Sequence, residues 1–437
     1  MASPEYTFNH LGQLSHTAAT MPCLYDVNDG IYRPINDLDF GGGGSYTSKG
    51  RLKTSNCETF FFNTFQYGKE TDIWDESTAN GGSGIYSASI NQIDMSVSNV
   101  SGSECIRQTK NVQRYVPSRN SNLAFAIKLE NPTLGIRRRF GLFEQNDGIF
   151  FEDGGDNNYY CVIRSSVSGS VNEIKIPRSG WNGDKLDGTG PSKIIANPQA
   201  QQLITIDYEW YGAGEVGFNY VINGSPVRIH TFSTANTFTD PWCKTPFLPI
   251  RVEITNTSGG QSNGRYHIYQ GSNSLTSEGN SLNLGVSESI STPIDGREIP
   301  KNIFYPLISL RLKSNSLKGV VFPRHFQTAT TENNVHVFYK MVRNAAISGA
   351  VWQDHPDTNS FVQYDISGTA YSNGQTVDDG FVVYGSSASQ IELDDALNYQ
   401  IGRSGMGLYS DIYTLAVAHT ASTNRSVIGS MTWIEQR

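Results

Sequence analysis

This chain of 437 residues has few charged side chains, and it lacks a secretion signal, a long apolar run and a recognisable cysteine pattern. Charged residues make up only 17% of it. The N-terminal sequence MASPEYTFNH contains neither the basic nor the apolar region of a signal peptide. No stretch approaches the roughly 18 apolar residues that a membrane helix needs. These absences predict a protein that folds in a cytoplasm and does not insert into a membrane.

The cysteines do not form a pattern that disulfides or a structural zinc ion would need. There are five of them, Cys23, Cys57, Cys105, Cys161 and Cys243, so the number is odd and the spacing is wide. No C-x-x-C pair occurs, and no histidine lies at ligand spacing from a cysteine. The sequence therefore predicts reduced, mostly buried thiols and neither a structural metal nor a cofactor.

The charge balance is acidic. Lysine and arginine number 33 against 41 aspartates and glutamates, a formal net charge of -8. Electrostatic binding to nucleic acid or to anionic lipid is not expected for such a chain. The triplet Arg137 to Arg139 is the one basic cluster. In a strand its outer two members share a face, and the sequence predicts a solvated strand edge there rather than a phosphate site.

What the chain does contain is the composition of a large β protein. It has 43 glycines, 22 tyrosines and 21 phenylalanines, which favours short strands joined by tight turns, and no long 3.6-residue periodicity is present. We predict an all-β fold of two β-sandwich or jelly-roll-like blocks behind an extended N-terminal arm. The predicted boundaries are an arm at 1–50, a first sandwich at 51–270, a linker or crossover at 271–300 and a C-terminal sandwich at 301–437.

The predicted arm is rich in proline and ends in four consecutive glycines, Gly41 to Gly44. Such a run cannot pack side chains and leaves the backbone free. Two interpretations stay open: an arm that lies on a neighbouring subunit, or a disordered terminus.

The segment Gly212 to Gly217 matches the dinucleotide fingerprint G-x-G-x-x-G. That motif binds a pyrophosphate only where it follows a strand and opens a helix. Here alternating apolar residues flank it on both sides, so strands are expected before and after it. The sequence therefore predicts a β-hairpin at these glycines and no bound nucleotide.

Candidate catalytic carboxylates are few. Asp207 and Glu209 are two residues apart in one predicted strand, and Glu253 lies in another. Sandwich-fold glycosidases use such carboxylate pairs as acid and nucleophile. Because Asp207 and Glu209 alternate with apolar residues, we expect them on the solvent face of a half-buried strand. The prediction is a protein that is not an enzyme, with a glycan hydrolase as one remaining alternative.

Metal sites are not expected either. The oxygen-rich stretch from Asp153 to Asn157 lacks the spaced ligands and closing glutamate of a calcium loop, and it predicts a turn. His230 and His267 lie in predicted strands with no second histidine or cysteine nearby.

Aromatic side chains beside turns are the candidate contact residues for a glycan or a protein partner. A flat ring with a polar edge stacks on sugars and also anchors protein interfaces, while the same residues serve equally as core. The candidates are Trp181, Trp210, Tyr211, Trp242 and Trp352.

Two runs of sequence carry a resemblance to a known family. The first extends from GLFEQNDGIFFED at Gly141 through ITIDYEWYGAGEVGFNYVINGSPV to TPFLPIRVEITNT, and the second from YPLISLRLK at Tyr305 to GSMTWIEQ. Together, across about 137–437, they resemble virion structural proteins of tailed bacteriophages. The matching residues are mostly turn glycines and strand aromatics, and they specify no active site. The chain departs from the family pattern at Gly183 and at Tyr211.

The resemblance implies a structural component of a tailed-phage virion, assembled in the host cytoplasm. Its expected activity is to bind neighbouring virion proteins in the tail, baseplate, fibre or neck, less so at the capsid surface, as a homo-oligomer. A lectin-like fibre module that recognises a host surface glycan is the first alternative, and the glycan hydrolase is the second.

Overall fold

The computed structural model describes residues 57–117, 119–258, 264–279, 285–330, 335–382 and 399–437, and the backbone of five short strands outside these ranges. Four of those strands form two separate antiparallel pairs near the N-terminus: β1 (Thr7–Phe8), β2 (Leu14–Ser15), β3 (Cys23–Asp26) and β4 (Ile31–Pro34). The rest of the predicted arm lies outside the described residues.

The first block is a sandwich of two antiparallel sheets. Its strands are β5 (Cys57–Asn63), β6 (Trp74–Ala79), β7 (Ser83–Ser87), β8 (Gln92–Val97), β9 (Glu104–Thr109), β10 (Ser121–Leu129), β11 (Ile136–Phe143), β12 (Gly148–Asp153), β13 (Tyr159–Ser165), β14 (Asn172–Pro177), β15 (Gln202–Tyr208), β16 (Val216–Ile222), β17 (Ser225–Phe232), β18 (Ile250–Asn256) and β19 (Tyr266–Glu278). A 3-10 turn covers Arg178–Gly180.

The strand order of the two sheets is not the order of the chain. Sheet 1 runs β17-β16-β15-β10-β19-β8-β7, and β5 also pairs with β19. Sheet 2 runs β14-β13-β12-β11-β18-β9-β6. Apolar residues at alternate positions of each strand point between the sheets, as Phe125 of sheet 1 and Phe140 of sheet 2 do with ring centroids 5.3 Å apart. The residues between them point outward, which gives the block two outer faces.

The second block is also a two-sheet sandwich. Its strands are β20 (Val286–Ser291), β21 (Arg297–Ile299), β22 (Tyr305–Leu312), β23 (Val320–Thr330), β24 (Val337–Arg343), β25 (Ala346–Ser348), β26 (Gln353–Asp354), β27 (Val362–Asp365), β28 (Ala370–Ser372), β29 (Gln375–Val382), β30 (Ile391–Glu392), β31 (Arg403–Ser404), β32 (Tyr409–Ser410), β33 (Ile412–His419) and β34 (Arg425–Gln436). One sheet runs β20-β34-β23-β30 with β21 also on β34, and the other runs β26-β27-β22-β33-β24-β29, while β25 with β28 and β31 with β32 form two separate pairs.

The fold is therefore all-β with two sandwich blocks, as predicted. The predicted linker at 271–300 is wrong, since β19 continues to Glu278 and β20 and β21 belong to the second block. Its apolar alternation is weak because several inward positions of β19 are polar. Gln270, Asn273 and Ser277 are buried there, and Gln270 accepts a hydrogen bond from Arg107 Nε at 3.1 Å. A polar inward face removes the pattern by which a strand is recognised.

The two blocks touch through a small apolar cluster and several polar contacts. Val112 of the first block packs with Val320 and Phe322 of the second. The Gln400 side chain donates to the Val112 carbonyl at 3.0 Å, and Lys318 pairs with Glu144. Among the described residues no helix is long and apolar enough to cross a membrane.

Candidate functional site

The outer face of sheet 2 carries a concentration of charge that its central strands create. On β11 the outward positions are Arg137 and Arg139, while Arg138 points into the sandwich and pairs with Asp153 at 2.6 Å. Arg137 and Arg139 do share a face, but β11 is the central strand of its sheet, so the predicted solvated edge is wrong. The strand is central because β18, more than a hundred residues later, pairs along it.

Cross-strand register sets acidic residues on both sides of Arg139. Glu152 of β12 and Glu253 of β18 are its direct partners in the two ladders. Arg139 forms an ion pair with Glu152, and its Nη1 lies 3.4 Å from Glu253 Oε1. Arg251, two residues before Glu253, reaches Oε2 of the same carboxylate at 2.8 Å. A central cation is thus flanked by anions in a row across the sheet.

The row continues to the far edge of sheet 2. Arg164 of β13 donates to Glu173 Oε1 of β14 from Nη2 at 2.7 Å and from Nε at 2.9 Å. Arg139 Nη2 reaches the same carboxylate oxygen at 3.5 Å. Bidentate guanidinium–carboxylate pairs fix both side chains in one geometry. Because they share Arg139 and Glu173, the pairs form one connected network.

Two phenyl rings form the floor beneath the guanidinium groups. Phe143 and Phe150 lie 4.6 Å apart between ring centroids. Arg139 and Arg164 lie over the Phe150 ring at 5.1 and 4.9 Å, and Arg251 lies over the Phe143 ring at 5.4 Å. Cation–π contact stabilises the charged groups in this orientation. The face is therefore rigid as well as charged.

Burial and neighbouring charge shift the pKa values of the network in opposite directions. Burial alone would raise the pKa of Glu253, but Arg251, Arg139 and Arg137 hold it below its ordinary value. The pKa of Glu104 is raised by burial and then by the negative charge of Glu253.

The network lines an open groove of about 480 Å³, which we call the arginine–glutamate groove. It is lined by four arginines (Arg137, Arg139, Arg164 and Arg251), three glutamates (Glu104, Glu173 and Glu253), Gln145 and Val171. A volume of a few hundred cubic ångströms is typical of pockets for small ligands. Its fixed hydrogen-bond donors and acceptors can bind a polar ligand without reorganising.

The aromatic candidates do not assemble into a site. The rings of Trp181 and Trp242 are core, with side chains only 5% and 2% exposed, and so cannot stack on a sugar. Trp210 is partly buried and donates from Nε1 to the Cys243 carbonyl at 3.0 Å. Tyr211 is 40% exposed, and Trp352 lies in the other block beneath Arg311. Trp242 lies near Trp210 and Tyr211, since its backbone amide donates to the Gly212 carbonyl at 3.1 Å, whereas Trp181 packs against Phe151 and Trp352 belongs to the second block.

The candidate carboxylates are separated by the core. Asp207 points outward from sheet 1, where Arg228 Nη1 pairs with it at 2.9 Å and Asn219 donates to it at 2.8 Å. Glu253 points outward from sheet 2, on the opposite side of the sandwich. Glu209 follows the end of β15 and is buried. Asp207 therefore cannot act with Glu253 on one substrate, and burial keeps Glu209 away from any substrate.

The remaining candidate motifs have structural roles. The glycines from 212 to 217 join β15 to β16 in an antiparallel hairpin, with Tyr208 opposite Val216, as predicted. The Asp153 carboxylate is engaged by Arg138 and by the Gly155 amide at 3.3 Å. Within the described ranges no three histidine, cysteine or acidic side chains come together as a metal site. Burial raises the pKa of the Cys105 and Cys243 thiols to about 12.

Sequence reasoning named Arg137, Arg139 and Glu253 but did not connect them, and it missed Glu104, Glu152, Arg164, Glu173 and Arg251. A signal was present. Charged residues recur at alternate positions along the sequence, at 137 and 139, at 173 and 175 and at 251 and 253. Such alternation places the charges on one face of each strand.

No family model matches the chain, and no curated protein matches it. Several solved structures are weakly similar over about half of it. A glycoside hydrolase family 16 endo-glucanase from Bacteroides ovatus shares 12% identity over 49% of this chain and 99% of its own, with a TM-score of 0.32. A legume lectin-like domain from Entamoeba histolytica shares 11% identity over 50% and 97%, with a TM-score of 0.31. A beta-glucanase from Bacillus licheniformis shares 13% over 50% and 98%, with a TM-score of 0.30. These TM-scores are too low to bear on what this chain binds.

Proposed function

We propose that this chain is a saccharide-binding protein and that the arginine–glutamate groove is its binding surface. The observation that carries the proposal is an open groove of about 480 Å³ whose lining alternates guanidinium and carboxylate groups. Sugar hydroxyls both donate and accept hydrogen bonds, so neighbouring donors and acceptors of fixed position suit them.

Rigidity favours binding at this surface. Arg139, Arg164 and Arg251 are held by ion pairs and by the aromatic floor before any ligand arrives. Side chains that are already ordered lose little conformational entropy on binding, so more of the contact energy appears as affinity. A loose charged surface would lack this advantage.

The test is a binding screen of the full chain against soluble plant, algal and bacterial polysaccharides by isothermal titration calorimetry. Arg251→Met is expected to weaken the best binder at least about tenfold, because it removes charge-assisted donors from the groove. Arg228→Met is the matched control, since Arg228 pairs with Asp207 on the outer face of sheet 1. Equal losses in both variants, with unchanged melting temperatures, would reject the groove as the site. Absence of binding to every polysaccharide would reject the function.

Hydrolysis at the same groove is a second candidate, and one observation favours it. Glu104 faces Thr255 in the ladder and Glu253 faces Ile106, so the two glutamates are diagonal neighbours on one face. Such neighbours are about 7–8 Å apart at Cα, within reach of the carboxyl spacings that glycosidases use. The raised pKa of Glu104 suits a general acid, and the lowered pKa of Glu253 keeps a second carboxylate ionised beside it.

Binding remains the better supported activity because both oxygens of Glu253 are already engaged by arginines. A carboxylate in this state is a weak base and a weak nucleophile. Reducing-end release from any polysaccharide that is bound, abolished in Glu104→Gln while binding persists, would establish catalysis instead.

We also propose, from the sequence resemblance alone, that the protein is a structural component of a tailed-phage virion and that it binds neighbouring virion proteins as a homo-oligomer. Immunogold electron microscopy of purified particles tests this directly. Gold at the tail, baseplate, fibre or neck is expected. Its absence from particles that are intact and infectious would refute the virion role without touching the groove.

A further inference from the structure

One arginine of the groove differs from the other three because it has no acidic partner. Arg137 forms no ion pair within 4.0 Å among the residues that the structure describes, whereas Arg139, Arg164 and Arg251 each form at least one. Its Nε atom is buried and has no hydrogen-bond partner. The hydroxyl of Thr255, directly opposite Arg137 in the ladder, is likewise buried without a partner. Two polar groups therefore lie side by side with unused bonding capacity.

The electrostatic surroundings of Arg137 point to a missing negative charge. Its pKa is lowered first by burial and then by the positive charge of Arg139, and the more distant Glu253, Glu152 and Glu173 offset only part of this. With Glu152 and its partner Lys175 counted together with the groove lining, the network holds five basic side chains against four glutamates, which leaves one positive charge in excess. A partly buried cation without a counter-ion is costly, and a bound anion would remove that cost.

The acidic neighbours limit which anion can bind. Glu253, on the neighbouring strand β18, acts on Arg137, and Glu104 lies one strand further on β9, across Thr255, so an anion of two charges would meet repulsion from both. A singly charged oxyanion matches the single excess cation, and a carboxylate also matches the planar fork of a guanidinium. The net charge of -8 over the whole chain disfavours unspecific attraction of polyanions.

We propose that the groove recognises an acidic saccharide and that Arg137 binds its singly charged group, a carboxylate or a sulfate ester. This inference rests on the proposed saccharide-binding function and names the substrate class. The Thr255 hydroxyl, opposite Arg137 in the ladder, lies next to the position proposed for this charged group.

The experiment compares paired probes that differ only in charge. Binding of the full chain to polygalacturonate and to its full methyl ester is measured by calorimetry, and dextran sulfate is compared with dextran in the same way. We expect the charged member of at least one pair to bind about 10- to 100-fold more tightly, as for a hydrogen-bonded charge pair. The first pair reports a carboxylate and the second a sulfate ester.

The Arg137→Met variant is expected to reduce this preference for the charged probe to near unity. Arg324→Met is the control, since Arg324 is an exposed arginine of the second block and its loss changes the net charge equally. A melting temperature of Arg137→Met equal to or above that of the wild type is expected, because no ion pair is lost.

Each other outcome is decisive. Equal affinity for charged and neutral members would overturn the acidic-saccharide inference and leave the proposed function standing. A preference for the charged member that persists in Arg137→Met would show that another group holds the anion. A large fall in the melting temperature would show that Arg137 is structural. Absence of binding to all four probes, alongside failure of the wider polysaccharide screen, would overturn both.

Discussion

We expect the free energy of unfolding to decrease in acid because of one buried histidine. His230 lies on β17, almost fully buried, with its ring edge-on to Phe232 at 4.5 Å between centroids. Its Nδ1 accepts a hydrogen bond from the backbone amide of Asn182 at 3.3 Å. Burial, with a smaller effect of Arg228, lowers the pKa of His230 to about 4. The folded chain therefore keeps this imidazole neutral where the unfolded chain protonates it.

The sign and size of the effect follow from that difference. Below a pH of about 6.5 the unfolded state takes up a proton that the folded state refuses, so stability falls as the pH falls, and the loss levels off near the folded pKa. With a pKa of about 4 folded against 6.5 unfolded, the loss for His230 is about 2 kcal/mol at pH 5. For a sandwich of this size that corresponds to roughly 4–8 °C in melting temperature.

The effect is measured by urea unfolding of the wild type and of His230→Gln at pH 7.5 and pH 5.0. Tryptophan fluorescence follows the unfolding. The glutamine retains a hydrogen-bond acceptor, and the contributions of carboxylates cancel in the comparison. We expect the variant to lose about 2 kcal/mol less than the wild type between the two pH values. His336→Gln, at an exposed histidine of the second block, is the control and should follow the wild type. An equal loss in His230→Gln and the wild type would refute the reasoning.

Three further changes test the packing. Arg139→Met should lower the free energy of unfolding, measured by urea titration, by about 3 kcal/mol, because it removes a cation shared by buried carboxylates. An unchanged free energy of unfolding would mean that the network does not stabilise the fold. Gly214→Val should lower the melting temperature by several degrees in calorimetry, because a Cβ there would lie 1.8 Å from the Glu209 carbonyl oxygen; Gly264→Val, where nothing lies within 4 Å of an added Cβ, is its control. Glu435→Gln should lower the free energy of unfolding in urea by about 2 kcal/mol, because the buried carboxylate accepts a charge-assisted hydrogen bond from Trp433 Nε1 at 2.8 Å. An unchanged midpoint of urea unfolding would contradict this.

Local features of the fold could be predicted from the sequence because turns are encoded locally. The hairpin at Gly212 to Gly217 and the turns after β11 and β12 occur where glycine, asparagine and aspartate cluster. Gly155 and Asn157 adopt positive φ angles of 72° and 65°, which these residue types tolerate best. Residue chemistry within four or five positions was sufficient for such elements.

The groove could not be predicted because it depends on pairing between distant strands. Arg139 meets Glu253 only because β11 and β18 are adjacent, and nothing in either segment specifies that partner. The aromatic candidates failed for a related reason. Trp181 and Trp242 lie in loops by sequence, yet both rings are buried in the core of the first block. Burial of a loop residue is a tertiary property.

The position of the last strand in each block has a consequence for synthesis. β19 ends the first block yet lies between β10 and β8, and β34 ends the chain yet lies between β23 and β20. As the chain leaves the ribosome, the edges of β8 and β10 that pair with β19 stay unpaired while about 150 further residues are added. This takes roughly 7–30 s at ordinary bacterial rates of translation. Each block remains an incomplete sheet with exposed edges until its final strand inserts, so a chain released before β34 is made would be prone to aggregate.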